Sequence, residues 1–241
     1  MFSDQDKKRL QSLKTSLLQY YNKKMNELGD PKVTSLFYDN CIITGGCIAS
    51  LFHYEVPNDI DLYSKDIKSI KIISDLLTQI GTSIVKEVKS YDTDDILTNP
   101  LGTRKLITNN AITLTNNVQF ITIGAADECR KNFDFIHCMP WYDLKTQKLY
   151  ISESQFDSIK EKKLVPNMEY MRGRKLKETR ISKYVTRGWK TTWELKQTTS
   201  IESATSTPMT WGIDSKASGM GFPGVVAQEM TALYPNTTVL K

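Results

Sequence analysis

Two short apolar runs, each interrupted in a way that a plain core strand would not be, constrain this chain more than any other feature. Residues 41–47 read Cys-Ile-Ile-Thr-Gly-Gly-Cys, and residues 59–63 read Asp-Ile-Asp-Leu-Tyr. A buried strand that breaks at Gly45 and Gly46 and leads straight into a helical pattern describes a strand–turn–helix corner. Glycines at such a corner let backbone N–H groups approach phosphate oxygens, and the following helix adds a favourable dipole. In the second run, residues two apart face one side of a strand. Asp59 and Asp61 therefore present two carboxylates together, while Ile60 and Leu62 face a core. Carboxylates held that close repel unless a cation lies between them, and hard oxygen donors select Mg²⁺ or Mn²⁺.

The flanking sequence supplies the rest of a domain. Ser3 can cap a helix whose Leu10, Leu13, Leu17, Tyr21 and Met25 recur at helical spacing, closed by Gly29 and Pro31. Ile67, Ile70, Ile73, Leu76, Leu77 and Ile80 predict a second helix, with Gly81 as its stop. Period-two alternation follows at 83–88, 110–115, 118–124 and 132–138, each reading as a strand, and Asn116–Asn117 suits a tight hairpin. Residues 141–152 add a further hairpin. Helix resumes at about 154–163 and again at about 169–195.

The length of 241 residues suffices for a substantial core without staples. No apolar run is long enough to cross a membrane, and no basic-plus-apolar leader opens the chain. The expected setting is the cytoplasm, with no membrane partner. Cys41, Cys47, Cys129 and Cys138 form no CxxC pair, and with only His53 and His137 they offer no zinc spacing. The formal charge of +5 is unevenly placed: residues 156–196 carry twelve Lys and Arg against five Asp and Glu. That surplus reads either as a surface for an anionic partner or as a solvated helical face. Arg172, Arg174, Arg180 and Arg187 are the candidates for a nucleic-acid backbone, with Lys183 and Arg187 sharing one helical face and Arg180 and Tyr184 another. Trp189 and Trp193 read as packing residues, and His137 as a core residue. The organisation expected is a site-bearing domain over 1–155, a basic helical lobe over 156–196, and an extended tail over 197–241. The tail has no hydrophobic period and is expected to order only by docking on a partner subunit.

A third carboxylate completes the pattern. Asp134 lies between Phe133 and Phe135, where burial without a partner is costly, and a metal shared with Asp59 and Asp61 would satisfy it. The order Gly45-Gly46, twelve residues, Asp59-Ile60-Asp61 and then Asp134 resembles the DNA polymerase β superfamily of nucleotidyltransferases. Residues 45–63 resemble especially the head of poly(A) polymerases and CCA-adding enzymes, and residues 41–138 are similar to nucleotidyltransferase-like proteins of bacteriophages. Residues 103–115, with an Arg ahead of an Asn-Ala pair, are similar to a later segment of those enzymes. The resemblance implies an α+β fold with a small mixed, mostly antiparallel sheet and helices on one face. It also implies metal-dependent nucleotidyl transfer from an NTP to a hydroxyl acceptor on RNA, protein or a small molecule. Asp59, Asp61 and Asp134 would hold Mg²⁺ or Mn²⁺, and Gly45, Gly46, Arg104 and Lys105 would contact the nucleotide. Arg104 and Lys105 read equally as solvated loop charges. Cys47 departs from the pattern, since the family places a hydroxyl residue or an Arg-Asp step soon after the glycines. The alternative is a non-catalytic phage structural or interaction protein that retains the domain, acting in the host cytoplasm or carried in the virion.

Overall fold

The computed structural model describes residues 2–80, 110–191 and 193, together with the backbone of 238–240. Arg104, Lys105, Gly81, the strand expected at 83–88 and nearly all of the tail lie outside the described residues.

Helix α1 (Asp4–Leu28) starts where Ser3 accepts a hydrogen bond from the Asp6 N–H and stops at Gly29, whose φ of 72° is left-handed. Its stripe of Leu10, Leu13, Leu17, Tyr21 and Met25 is fully buried; at about 1.5–3 kcal/mol per buried side chain, packing rather than propensity holds it. Pro31 does not merely end α1. It occupies the first turn of α2 (Pro31–Asn40), a helix capped by Asp30, whose carboxylate accepts from the Lys32 and Val33 N–H groups. There follow β1 (Cys41–Thr44), α3 (Gly46–Phe52), β2 (Ile60–Ser64) and α4 (Ile67–Ile80). The second half contains β3 (Ala111–Thr113), β4 (Val118–Ile121), α5 (Ala126–Lys131), β5 (Trp141–Asp143), β6 (Lys148–Ile151) and α6 (Glu153–Lys160). Then come β7 (Lys163–Leu164), α7 (Met168–Met171), α8 (Glu178–Val185), β8 (Lys190–Thr191) and β9 (Thr238–Leu240).

The architecture is α+β. Among the described residues, seven strands form one mixed sheet in the order β3-β4-β2-β1-β5-β6-β9, in which β2–β4 is the parallel pair. Cys41, Ile43, Ile60, Leu62, Val118 and Phe120 point to the face that carries the main core, with α1, α2, α3 and α4 packed there. Ile42, Tyr63 and Ile121 point the other way and meet Ala126 and Cys129 of α5. Strand alternation thus leaves Thr44, Asp61 and Gln119 on the second face. Phe156, Ile159, Ile181, Tyr184 and Trp189 belong to the same core cluster as Leu10 and Phe37, so the basic segment is packed onto the body of the domain.

Three local expectations are corrected. Residues 132–138 are not a strand: Asp134 sits in a bend, Phe135 makes one isolated bridge to Pro166, and Ile136–Cys138 is a single 3₁₀ turn. Phe135, Ile136, His137 and Cys138 are all buried in succession, which alternation along a half-exposed strand does not allow. The stretch 169–195 is not one helix, because Gly173 and Gly188 take left-handed φ values of 80° and 82° and break it into α7, α8 and β8. Residues 238–240 pair with β6 as an edge strand; a short backbone ladder requires no hydrophobic period, which is why composition did not reveal it.

Candidate functional site

The chain turns sharply at the end of β1. Gly45 has φ 91° and ψ −161°, a conformation open to glycine and strained for other residues. A Cβ placed there would lie 3.2 Å from Asp61 Oδ2, because Thr44 and Asp61 are register partners on β1 and β2. Glycine is required twice over, by the backbone angle and by the carboxylate beside it. Around Gly46, by contrast, a Cβ would meet nothing within 4 Å, so the backbone there is open to approach.

The corner is tied down from one side. The Gly45 N–H donates to the Cys138 carbonyl at 3.0 Å, and the buried Thr44 hydroxyl lies 2.7 Å from the Pro140 carbonyl and 3.1 Å from that of Cys138.

A cavity of about 340 Å³ opens at this corner. Gly45, Gly46, Asp59, Asp61 and Gln119 line one side, and Arg180, Lys183, Tyr184 and Arg187 line another. Asp59 is exposed at the mouth and Asp61 is half-buried. Burial, and then the charge of Asp59, push the Asp61 carboxyl up to about 7, while Lys183 and Arg180 pull it back. The crowding of two carboxylates expected from the i, i+2 spacing is therefore present electrostatically. Gln119, which sequence reasoning missed, is the register partner of Asp61 on the parallel strand β4.

Asp134 does not join this pair. Its Oδ2 accepts from Arg180 Nε at 2.6 Å and its Oδ1 from Arg180 Nη2 at 3.1 Å. Among the described residues, no group of three His, Cys, Asp or Glu is placed to hold a metal ion. The burial cost that singled out Asp134 in the sequence is offset here by the Arg180 guanidinium. The Asn167 amide donates to the carbonyls of Lys131 and Phe133, and its backbone N–H donates to that of Asp134, fixing this bend.

The four arginines expected on a nucleic-acid track divide. Arg180 and Arg187 line the cavity together with Lys183. Arg174 instead donates to Asn132 Oδ1 at 2.9 Å and lies over the Tyr170 ring, and Arg172 is an exposed residue ending α7. Behind the cavity, His137 is fully buried, with its ring 4.0 Å from that of Trp189 and 4.6 Å from that of Tyr184. Neither ring nitrogen has a partner among the described residues, and burial lowers its pKa to about 3, so it is a neutral packing ring. The four cysteines are free and buried. Burial pushes the Cys138 thiol up to about 12.

Fold and site together define an α+β domain with a glycine corner and a carboxylate pair facing a cationic helix across one cavity. The chain belongs to the Gad2 family, described as Gabija anti-defense 2 family proteins, whose model matches residues 11–162. Two solved structures are similar to it at low level. An apo form of a CCA-adding enzyme is 16% identical with a TM-score of 0.38, over 70% of this chain and 42% of that one. A Thermotoga maritima CCA-adding enzyme complexed with tRNA is 16% identical with a TM-score of 0.33, over 70% and 45%. The chain spans less than half the length of either enzyme. No curated protein matches it.

Proposed function

We propose that this protein transfers a nucleotidyl group from an NTP to a hydroxyl acceptor, with Mg²⁺ or Mn²⁺ as cofactor. The observation that carries the reading is the packing of Asp61 Oδ2 against Gly45, which puts a paired carboxylate and an open backbone corner at one cavity. The donor set fits a hard divalent cation of the kind that takes one or two carboxylates and completes its shell with substrate phosphates and water. Asp59 and Asp61 would hold it, and the carboxyl of Asp61, raised by burial and by Asp59, is the group whose ionisation such a cation would favour. When bound, the cation supplies charge neutralisation on the phosphates and a lowered pKa for the attacking hydroxyl.

The chain's own residues do the positioning. Gly45 sets the turn, Gly46 leaves room for phosphates against the backbone, and Asp61 orients what the cavity holds from the sheet side. A cavity of this volume lies at the low end of the range that takes a small-molecule ligand. Within the Gad2 family the transfer would serve an anti-defence role against Gabija, carried by a phage-encoded protein in the host cytoplasm. The acceptor would be RNA, a protein or a small molecule.

A second reading is favoured by one observation. Gln119 stands beside Asp61 and Asp134 is committed to Arg180, so a third carboxylate is absent from the described site. On that reading the cavity binds a nucleotide without turning it over, and the protein acts by interaction. Incubating the purified chain with each labelled NTP, Mg²⁺ or Mn²⁺, and host RNA and protein separates the two. Label on an acceptor that is lost in Asp59→Asn and Asp61→Asn supports transfer. Metal-dependent NTP binding without label on any acceptor supports the interaction reading.

A further inference from the structure

The cationic wall of the cavity is built, not incidental. Arg180 and Lys183 lie three apart on α8 and Arg187 follows in the turn after it, so one side of this element presents three cations to the cavity. Arg180 is fixed by the two-point pair with Asp134, which is only 8% exposed and is held by a bend that Asn167 bonds in place. Neither Lys183 nor Arg187 pairs with a carboxylate among the described residues. Tyr184 and Trp189, both buried, close the wall behind them.

We propose that Arg180, Lys183 and Arg187 form a polyphosphate subsite facing Asp59 and Asp61, and that Asp134 is a positioning residue that aims Arg180 into it. This rests on the nucleotide reading above and reassigns two groups: the arginines from an acceptor backbone to the nucleotide's phosphates, and Asp134 from metal ligand to support. Three features favour a polyphosphate over a nucleic-acid strand. The cations line one compact cavity of about 340 Å³, Arg180 half-buried and Lys183 and Arg187 at its exposed edge, and a strand-tracking groove would be longer. Arg174, which would extend a track, is engaged with Asn132 and Tyr170 outside it. The opposite wall carries two carboxylates, which repel a bare backbone but suit phosphates that arrive with a divalent cation. Arg is suited to this because its planar fork holds Asp134 bidentately while its remaining N–H donors stay free for phosphate.

The test uses the full chain and inorganic tripolyphosphate, titrated calorimetrically in excess Mg²⁺ and, in parallel, in EDTA, with a single-stranded oligonucleotide as the second probe; the affinities compared below are those in Mg²⁺. Lys183→Gln combined with Arg187→Gln is expected to weaken tripolyphosphate binding tenfold or more and to leave oligonucleotide binding within twofold. Asp134→Asn is expected to weaken tripolyphosphate several-fold, and Asp134→Glu to restore part of that loss. If transfer is detected, Asp134→Asn raises KM for NTP more than it lowers kcat. The opposite split, with kcat lost and tripolyphosphate affinity unchanged, would make Asp134 a metal carboxylate and overturn the proposal. Loss of oligonucleotide binding alone in the double variant would overturn it in favour of a backbone track, and so would a wild-type chain that does not bind tripolyphosphate. A chain that binds tripolyphosphate through these residues yet labels no acceptor supports the subsite while removing the transferase reading. Melting temperatures within a few degrees of wild type confirm that each variant is folded.

Discussion

Gln119 and Asp61 stand side by side on the parallel strand pair of the sheet, β4 against β2, both on the face away from the main core. A neutral amide thus stands next to Asp61. Gln119→Glu should convert the site into three crowded acids. Divalent binding, measured by Mn²⁺ calorimetry, is expected to tighten about tenfold, while metal-free stability at neutral pH falls. Unchanged Mn²⁺ affinity would show that the amide does not face the site.

Asp61 should make stability depend on pH in a defined direction. Its folded pKa of about 7 lies above the ordinary aspartate value of 3.8, so between those values the folded state holds a proton that the unfolded chain has released. Its contribution is full below about pH 4 and is lost as pH rises through 7. The difference between wild type and Asp61→Asn in urea unfolding should therefore grow across that window, by on the order of 1–2 kcal/mol once solvent screening is allowed for. Divalent metal should shrink the difference. A flat difference from pH 4 to 8 would remove the argument that burial, with the charge of Asp59, raises this carboxyl.

The two glycines should respond unequally. Gly45→Ala meets both a left-handed φ and Asp61 Oδ2 at 3.2 Å, and is expected to cost about 1–3 kcal/mol and to displace Asp61. Gly46→Ala meets open space and should leave folding within about 0.5 kcal/mol. Its effect belongs to binding, through a methyl that narrows the approach to the backbone. Thermal unfolding and NTP titration of both variants check the split.

Strand β9 closes the β6 edge of the sheet by pairing Thr238–Leu240 with Leu149–Ile151. Removing residues 238–241 should leave that edge open to other chains. Concentration-dependent association in sedimentation is the expected result, with little change in melting temperature. A monomeric variant at all concentrations would mean that the edge is protected without β9.

The carboxylate pair was legible because it is local. Two residues apart on one strand are on one face whatever the rest of the chain does, and Ile60 and Leu62 marked that strand's buried side. The glycine corner was legible for the same reason. Gln119 was not, since its place depends on which strand lies beside β2, a pairing set by a crossover between residues far apart in sequence. The bend at Asp134 resembled a strand because polar and aromatic residues alternate over 132–135, yet each of 135–138 is buried. Gly173 and Gly188 did carry the signal that divides the basic helix. Asp30 and Pro31 likewise spelled a helix start, which a reading of proline as a terminator concealed.

Residues 134–140 bond to both walls of the cavity. The carbonyls of Cys138 and Pro140 hold Gly45 and Thr44 on the sheet side, while Asp134 grips Arg180 and the Cys138 thiol lies 3.2 Å from the Tyr184 hydroxyl on the helix side. The two walls are thus spaced by one short covalent strut, as the jaws of a fixed gauge are spaced by its frame. A site tethered this way would hold its two walls at one separation, so that an occupant engaging both would have to span that gap.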